Sequence, residues 1–87
     1  MTMGQPARFK VTRIRPGYSK ADVDAFIDRI EGTLGRAAAP EQPVTSEDVR
    51  NVRFTTTRLR PGYDEEEVDV ALNRYAAELA ERERWAT

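Results

Sequence analysis

The sequence predicts a small α+β protein, mainly helical with short β or extended segments. It is built of two repeated strand–turn–helix units whose helices pair side by side, as an intramolecular pseudo-dimer or across a homodimer. Three observations predict this. Residues 8–34 align without gaps on residues 53–79 at an offset of 45, and 12 of the 27 positions are identical. In both copies a segment rich in β-branched residues leads into Arg-Pro-Gly-Tyr. In both, apolar residues at helical spacing follow a capping pattern.

Taken in order, residues 1–34 form the first repeat, 35–44 a linker and 45–87 the second repeat. The extended segments 9–15 and 54–60 open on Phe9 and Phe54, both expected as core anchors. β-Branched residues follow: Val11, Thr12 and Ile14 in one, Thr55, Thr56 and Thr57 in the other. Pro16-Gly17 and Pro61-Gly62 then mark turns. Proline presets φ and glycine accepts φ > 0, so the expected geometry is a type II turn. The rings of Tyr18 and Tyr63 are expected to pack beneath the start of each helix.

The helices start at recognisable caps. Ser19 with Asp22 and Asp64 with Glu67 have capping-box spacing, and Glu65, Glu66 and Glu67 favour the positive end of the second helix. Val23, Ile27, Ile30 and Leu34 form a stripe spaced four, three and four apart. Val68, Leu72, Tyr75 and Leu79 repeat it in register, and these eight residues are the expected helix-pairing seam. The pattern lasts for about two heptads. Residues 45–52, Thr-Ser-Glu-Asp-Val-Arg-Asn-Val, read as a short capped helix, for which the first seven residues offer no equivalent. Trp85 reads as a frayed surface residue or an exposed anchor for a partner.

Composition excludes several function classes. The chain has no cysteine and no histidine, which removes disulfides, thiol chemistry, Cys/His metal sites and the usual general base. No phosphate loop or triad pattern supports an enzyme, and no cofactor is implied. Residues 64–69 lack the alternating ligands and central glycine of a calcium loop, so no metal is expected. Asp24 and Asp69 follow capped helix starts and read as hydrogen-bonding contacts rather than catalytic carboxylates. The first six residues lack the apolar centre of a signal peptide, and no apolar run approaches the roughly 20 residues that span a bilayer. Peripheral membrane contact and a cytoplasmic location are the expectation.

Seven cations, Arg8, Lys10, Arg13, Arg15, Arg53, Arg58 and Arg60, lie on or directly before the two acid-free extended segments. They suit phospholipid head groups, a solvated strand face or a DNA-reading ribbon. A net charge of −1 and the acidic second helix argue against nucleic acid.

The order of motifs resembles the DivIVA family of bacterial polar and septal scaffold proteins. The second copy matches through Thr45, Asp48, Val49, Asn51, Phe54, Leu59-Arg60, Gly62-Tyr63, Asp64, Glu67-Val68-Asp69 and Leu72. The first matches through Phe9, Ile14-Arg15, Gly17-Tyr18 and Val23-Asp24, with Asp22 in place of the usual glutamate. Its R-x-R-P-G-Y form is similar to that of small DivIVA-domain proteins of high-GC Gram-positive bacteria. The resemblance implies a parallel dimer whose tip puts an apolar residue into curved anionic membrane, beside an arginine that meets head groups. Carried onto this chain, it implies Ile14 and Leu59 as inserting residues, with Arg15 and Arg60 beside them. The sequence departs from the family in its aliphatic tips and in the proline before each glycine.

The resemblance further implies a role in cell division or polar growth, with an anionic membrane, a division or polarity scaffold, or a second copy as partner. The rival expectation is a protein–protein adaptor that pairs through its helices without touching lipid. An intramolecular pseudo-dimer is within reach of the chain. A 16-residue helix is about 24 Å long, and a ten-residue linker spans up to about 33–36 Å.

Overall fold

The computed structural model of the chain describes residues 7–58 and 60–86. The reading of the first six residues and the role expected of Leu59 therefore lie outside the described residues. Among the described residues the chain forms a small α+β fold of three helices and a four-stranded antiparallel sheet.

Local signals account for the helices. Helix α1 spans Lys20–Thr33, and Ser19 Oγ caps it by accepting the Asp22 N–H at 3.3 Å. Helix α2, Ser46–Asn51, carries a complete capping box between Thr45 and Asp48. Helix α3 spans Glu65–Ala86, and Asp64 Oδ2 accepts the Glu67 N–H at 3.1 Å. It remains helical through Trp85, which lies on the surface as expected. The exposed Trp85 ring donates its Nε1–H to Glu81.

The difference in length between α1 and α3 has a local cause. Gly35 sits at φ 81° just past α1, a conformation in which a Cβ is strained. Its N–H closes on Gly32 O at 3.1 Å, and the Arg36 N–H closes on Glu31 O at 2.8 Å, which stops the helix. In the second copy the positions of Gly32 and Gly35 hold Ala77 and Ala80, and α3 continues.

The strands are β1 (Val11–Thr12), β2 (Gly17–Tyr18), β3 (Thr56–Thr57) and β4 (Gly62–Tyr63), in the spatial order β1-β4-β2-β3. Val11 faces Tyr63 and Thr12 faces Gly62; Thr56 faces Tyr18 and Thr57 faces Gly17; Tyr18 faces Tyr63 at the centre. Each edge strand thus pairs with the Gly-Tyr strand of the other half of the chain.

This corrects the reading of Pro16-Gly17 and Pro61-Gly62 as type II turns. β1 and β2 are both antiparallel to β4, so they run the same way, and β4 lies between them. Residues 13–16 are therefore a crossover, and β3 and β4, both antiparallel to the β2 that lies between them, are related in the same manner. Two strand spacings are about 9.6 Å, and five residue steps reach up to about 17 Å, so the link is long enough. Both glycines are extended strand residues, and Gly35 is the described glycine with positive φ. They are required by proximity instead. A Cβ on Gly17 would stand 2.6 Å from Tyr63 O, and one on Gly62 would stand 3.0 Å from Tyr18 O.

The core forms where the seams meet. Val23, Ile27, Ile30 and Leu34 of the first stripe and Val68, Leu72 and Leu79 of the second are buried in one cluster with Tyr63, Val44 and Val49. Tyr75 stays half-buried at the edge, and Ala76 takes a buried place beside it. Phe9, Tyr18 and Phe54 are half-buried against the cluster. α1 and α3 both begin at the sheet, and Arg36, just past α1, pairs with Glu78 in α3, so the two helices run in the same direction.

Residues 35–45 do not simply span. They fold on the end of α1, where Gln42 O accepts from Arg29, the Val44 N–H donates to Thr33 Oγ1 at 2.9 Å, and Val44 is buried. Helix α2 then runs back along α3, from Ser46, bonded to Glu83, towards Val52 beside Asp69.

Candidate functional site

The sequence points to the two links between strands, and the sheet beneath them sets their positions. Contacts at its two ends match at the repeat offset of 45. The Ser19 N–H donates to Thr55 O at 2.8 Å, and the Asp64 N–H donates to Lys10 O at 2.7 Å. The acids that follow the caps reach across in turn: the Thr55 N–H donates to Asp22 at 3.1 Å, and the Lys10 N–H donates to Glu67 at 2.8 Å.

Aromatic packing has the same pairing. Phe9 lies edge-on to Tyr63 with centroids 5.2 Å apart, and Phe54 tilts against Tyr18 at 5.3 Å. The Tyr63 hydroxyl donates to Asp24 at 2.8 Å and accepts the Arg8 N–H; the Tyr18 hydroxyl donates to Asp69 at 3.1 Å. Burial and then the Asp69 carboxylate push the Tyr18 phenol up to about 12. Burial also raises Tyr63, while the Arg8 N–H partly opposes the shift. Asp24 and Asp69 therefore tie each helix to the opposite strand.

Above this frame Ile14 stands fully exposed between the exposed Arg13 and Arg15. An isoleucine with its whole side chain in water is unusual in a chain with so small a core, and it gains about 1.5–3 kcal/mol from any apolar environment. Arg15 is held by a salt bridge of 3.0 Å to Asp64, whose other oxygen caps α3. In the second link Arg58, Arg60 and Pro61 are exposed, and Leu59 lies outside the described residues. The counterpart of Asp64 is Ser19, so Arg60 has no carboxylate across from it and makes no ion pair among the described residues. Arg60 and Lys20 border a cleft with Pro61, Thr55 and Asp22.

Sequence reasoning identified the cations but missed how many are engaged. Arg8 pairs with Asp24 and Asp28 on α1, and these bonds, Asp28 foremost, raise its pKa. The readable signal was the recurrence of Asp six residues after each Gly-Tyr tyrosine. Seven of the eight seam residues are buried in one core cluster, and Tyr75 packs half-buried against it.

Among the described residues no helix is long and apolar enough to cross a membrane, and no cluster of three or more carboxylates could hold a metal ion. No protein-family model, curated protein or solved structure matches the chain.

Proposed function

We propose that this is a non-enzymatic DivIVA-domain-type protein of bacterial cell division or polar growth, in which two motif copies in one chain form an intramolecular pseudo-dimer. In this reading the links present Ile14 and Leu59, flanked by Arg15 and Arg60, to the inner face of an anionic membrane at pole or septum. The same body can join a resident division scaffold. The observation that carries the reading is the fully exposed Ile14, flanked by arginines, on a link that crosses a strand of the other copy. The matched registers and Tyr–Asp ties support the pseudo-dimer, because they relate the copies as a two-fold axis relates protomers.

Energetics place the affinity. Two apolar tips and two arginines yield a gross 5–8 kcal/mol at about 1.5–3 per tip and about 1 per arginine. Association entropy takes roughly 4 kcal/mol or more of that. A lone molecule binds weakly, and firm localisation rests on avidity or on a scaffold that collects several copies.

Co-sedimentation with anionic and neutral vesicles tests the proposal. Wild type binds anionic vesicles only, and the Ile14→Ser/Leu59→Ser variant, folded by circular dichroism, loses that binding. Wild type that ignores both vesicle types would refute lipid contact and leave the adaptor reading. Light scattering behind size exclusion tests the pseudo-dimer. It should report a monomer, and an obligate dimer would count against the intramolecular arrangement.

A further inference from the structure

We infer that the groove between α1 and α3 is a docking site for a short acid-capped helix of a partner protein, of the same chemistry as this chain's own α2. The inference rests on the two-copy arrangement proposed above but not on lipid contact. The groove has a volume of about 440 Å³. Its floor is Ile27, Phe9 and Ala71, and charged side chains, among them Arg8, Glu31 and Arg74, line its walls.

The chain itself shows what this shape accepts. Moved by the repeat offset, Ile27 and Glu31 fall on Leu72 and Ala76, beside which Val49 and Val52 of the α2 segment lie. Arg74 and Glu78 of the opposite wall fall on Arg29 and Thr33, which bond to Gln42 and Val44 as the chain enters α2. The groove between α1 and α3 is thus the counterpart of the one filled by the segment that carries α2. The residues 45 positions before α2 are the first six, Met-Thr-Met-Gly-Gln-Pro, and they lack its capping box and buried valine.

The chemistry of the walls selects the occupant. Arg36 is consumed by Glu31 and Glu78, whereas Arg74 makes no ion pair among the described residues. A helix with a Ser or Thr cap, carboxylates in its first turn and one β-branched residue facing inward meets Arg74 with its acids and the half-buried Phe9 and Ala71 with its apolar side. Those are the features of Thr45, Glu47, Asp48 and Val49.

Two measurements on the full chain test this. In the first, residues 1–6 are replaced by Met-Thr-Ser-Glu-Asp-Val-Arg-Asn and Ala7 by Val, which supplies the helix with its threonine cap in cis. The melting temperature should rise by about 4 °C or more, and an added Ala71→Glu should abolish the rise. No rise in the graft would overturn the inference. In the second, the isotope-labelled wild-type chain is titrated with a synthetic peptide of sequence 44–53. Amide shifts should concentrate at Ile27, Glu31, Ala71, Arg74 and Tyr75. Shifts centred instead on Leu72 and Ala76 would mean displacement of α2 and overturn the inference, as would no shifts at all. Deletion of residues 1–6 that by itself moves the groove amides would identify the chain's own N-terminus as occupant and also overturn it. A chain that takes up the helix but ignores vesicles separates this inference from the membrane reading.

Discussion

The two copies of the repeat share 12 of 27 residues, yet they end differently, and the difference shows which features the fold needs twice. Both keep the Gly-Tyr strand, the cap, the buried seam and the Tyr–Asp tie. Only the first has Gly32 and Gly35 to stop its helix; among the described residues, only the second has a helix such as α2 and the long α3 that α2 packs against. The shared set builds the interior where the copies meet. The unshared set gives one side of the helix pair a cover and leaves the other side a groove.

Glycines offer the strongest way to break this comparison. Gly17→Ala places a Cβ against the Tyr63 carbonyl at the centre of the sheet and should cost about 2–3 kcal/mol. Gly35→Ala affects only the stop signal of the first copy, where nothing stands within 4 Å, and should cost about 1 kcal/mol for its backbone conformation. Urea denaturation followed by circular dichroism gives both values. Equal costs would mean that close approach is not why Gly17 is needed.

The tyrosines sharpen the comparison at a smaller scale. Tyr63→Phe removes a hydroxyl that serves Asp24 and the Arg8 N–H from a ring 2% exposed, and should cost about 1–2 kcal/mol. Tyr18→Phe removes one solvent-exposed hydrogen bond from a half-buried ring and should cost less than half as much. The same denaturation series decides it, and a reversed order would place the main tie in the other copy.

Acid gives the smallest effect and isolates α2. The Ser46 hydroxyl and then its N–H hold the Glu83 carboxyl below its ordinary value; the Thr45 N–H and then its hydroxyl do the same for Asp48. Lowered folded values mean that this stability is present above the unfolded pKa and is lost as pH falls through the folded one. Thermal melts between pH 7 and 3 should show the loss begin near pH 4.5, and Glu83→Gln should flatten the curve. An unchanged curve in that variant would show that acid acts elsewhere.

Much of the fold was legible because its causes are local. Ser19 with Asp22 and Thr45 with Asp48 mark helix starts within four residues, and a stripe such as Val23, Ile27, Ile30 and Leu34 betrays a buried face by spacing alone. The glycines were misread because Pro-Gly carries a local turn preference, whereas the demand on Gly17 comes from Tyr63, 46 residues away. Strands of two residues are too short to announce a partner, so the pairing of Val11 with Tyr63 had no signature. Burial of Val44 was hidden by the prolines around it. At the candidate site, attention fell on Ile14 through the family resemblance, and the residue is exposed. The grip of Asp64 on Arg15 was not legible, because it joins a loop to a distant cap.

The crossed links also govern how the molecule comes into being. Strands belonging to the same half never touch as neighbours, so neither half has a sheet of its own to complete. The chain must close loops of some forty to fifty residues before its first ladder bond forms. Contacts that distant in the chain slow sheet formation for so small a protein, because each half supplies the strands against which the other half pairs.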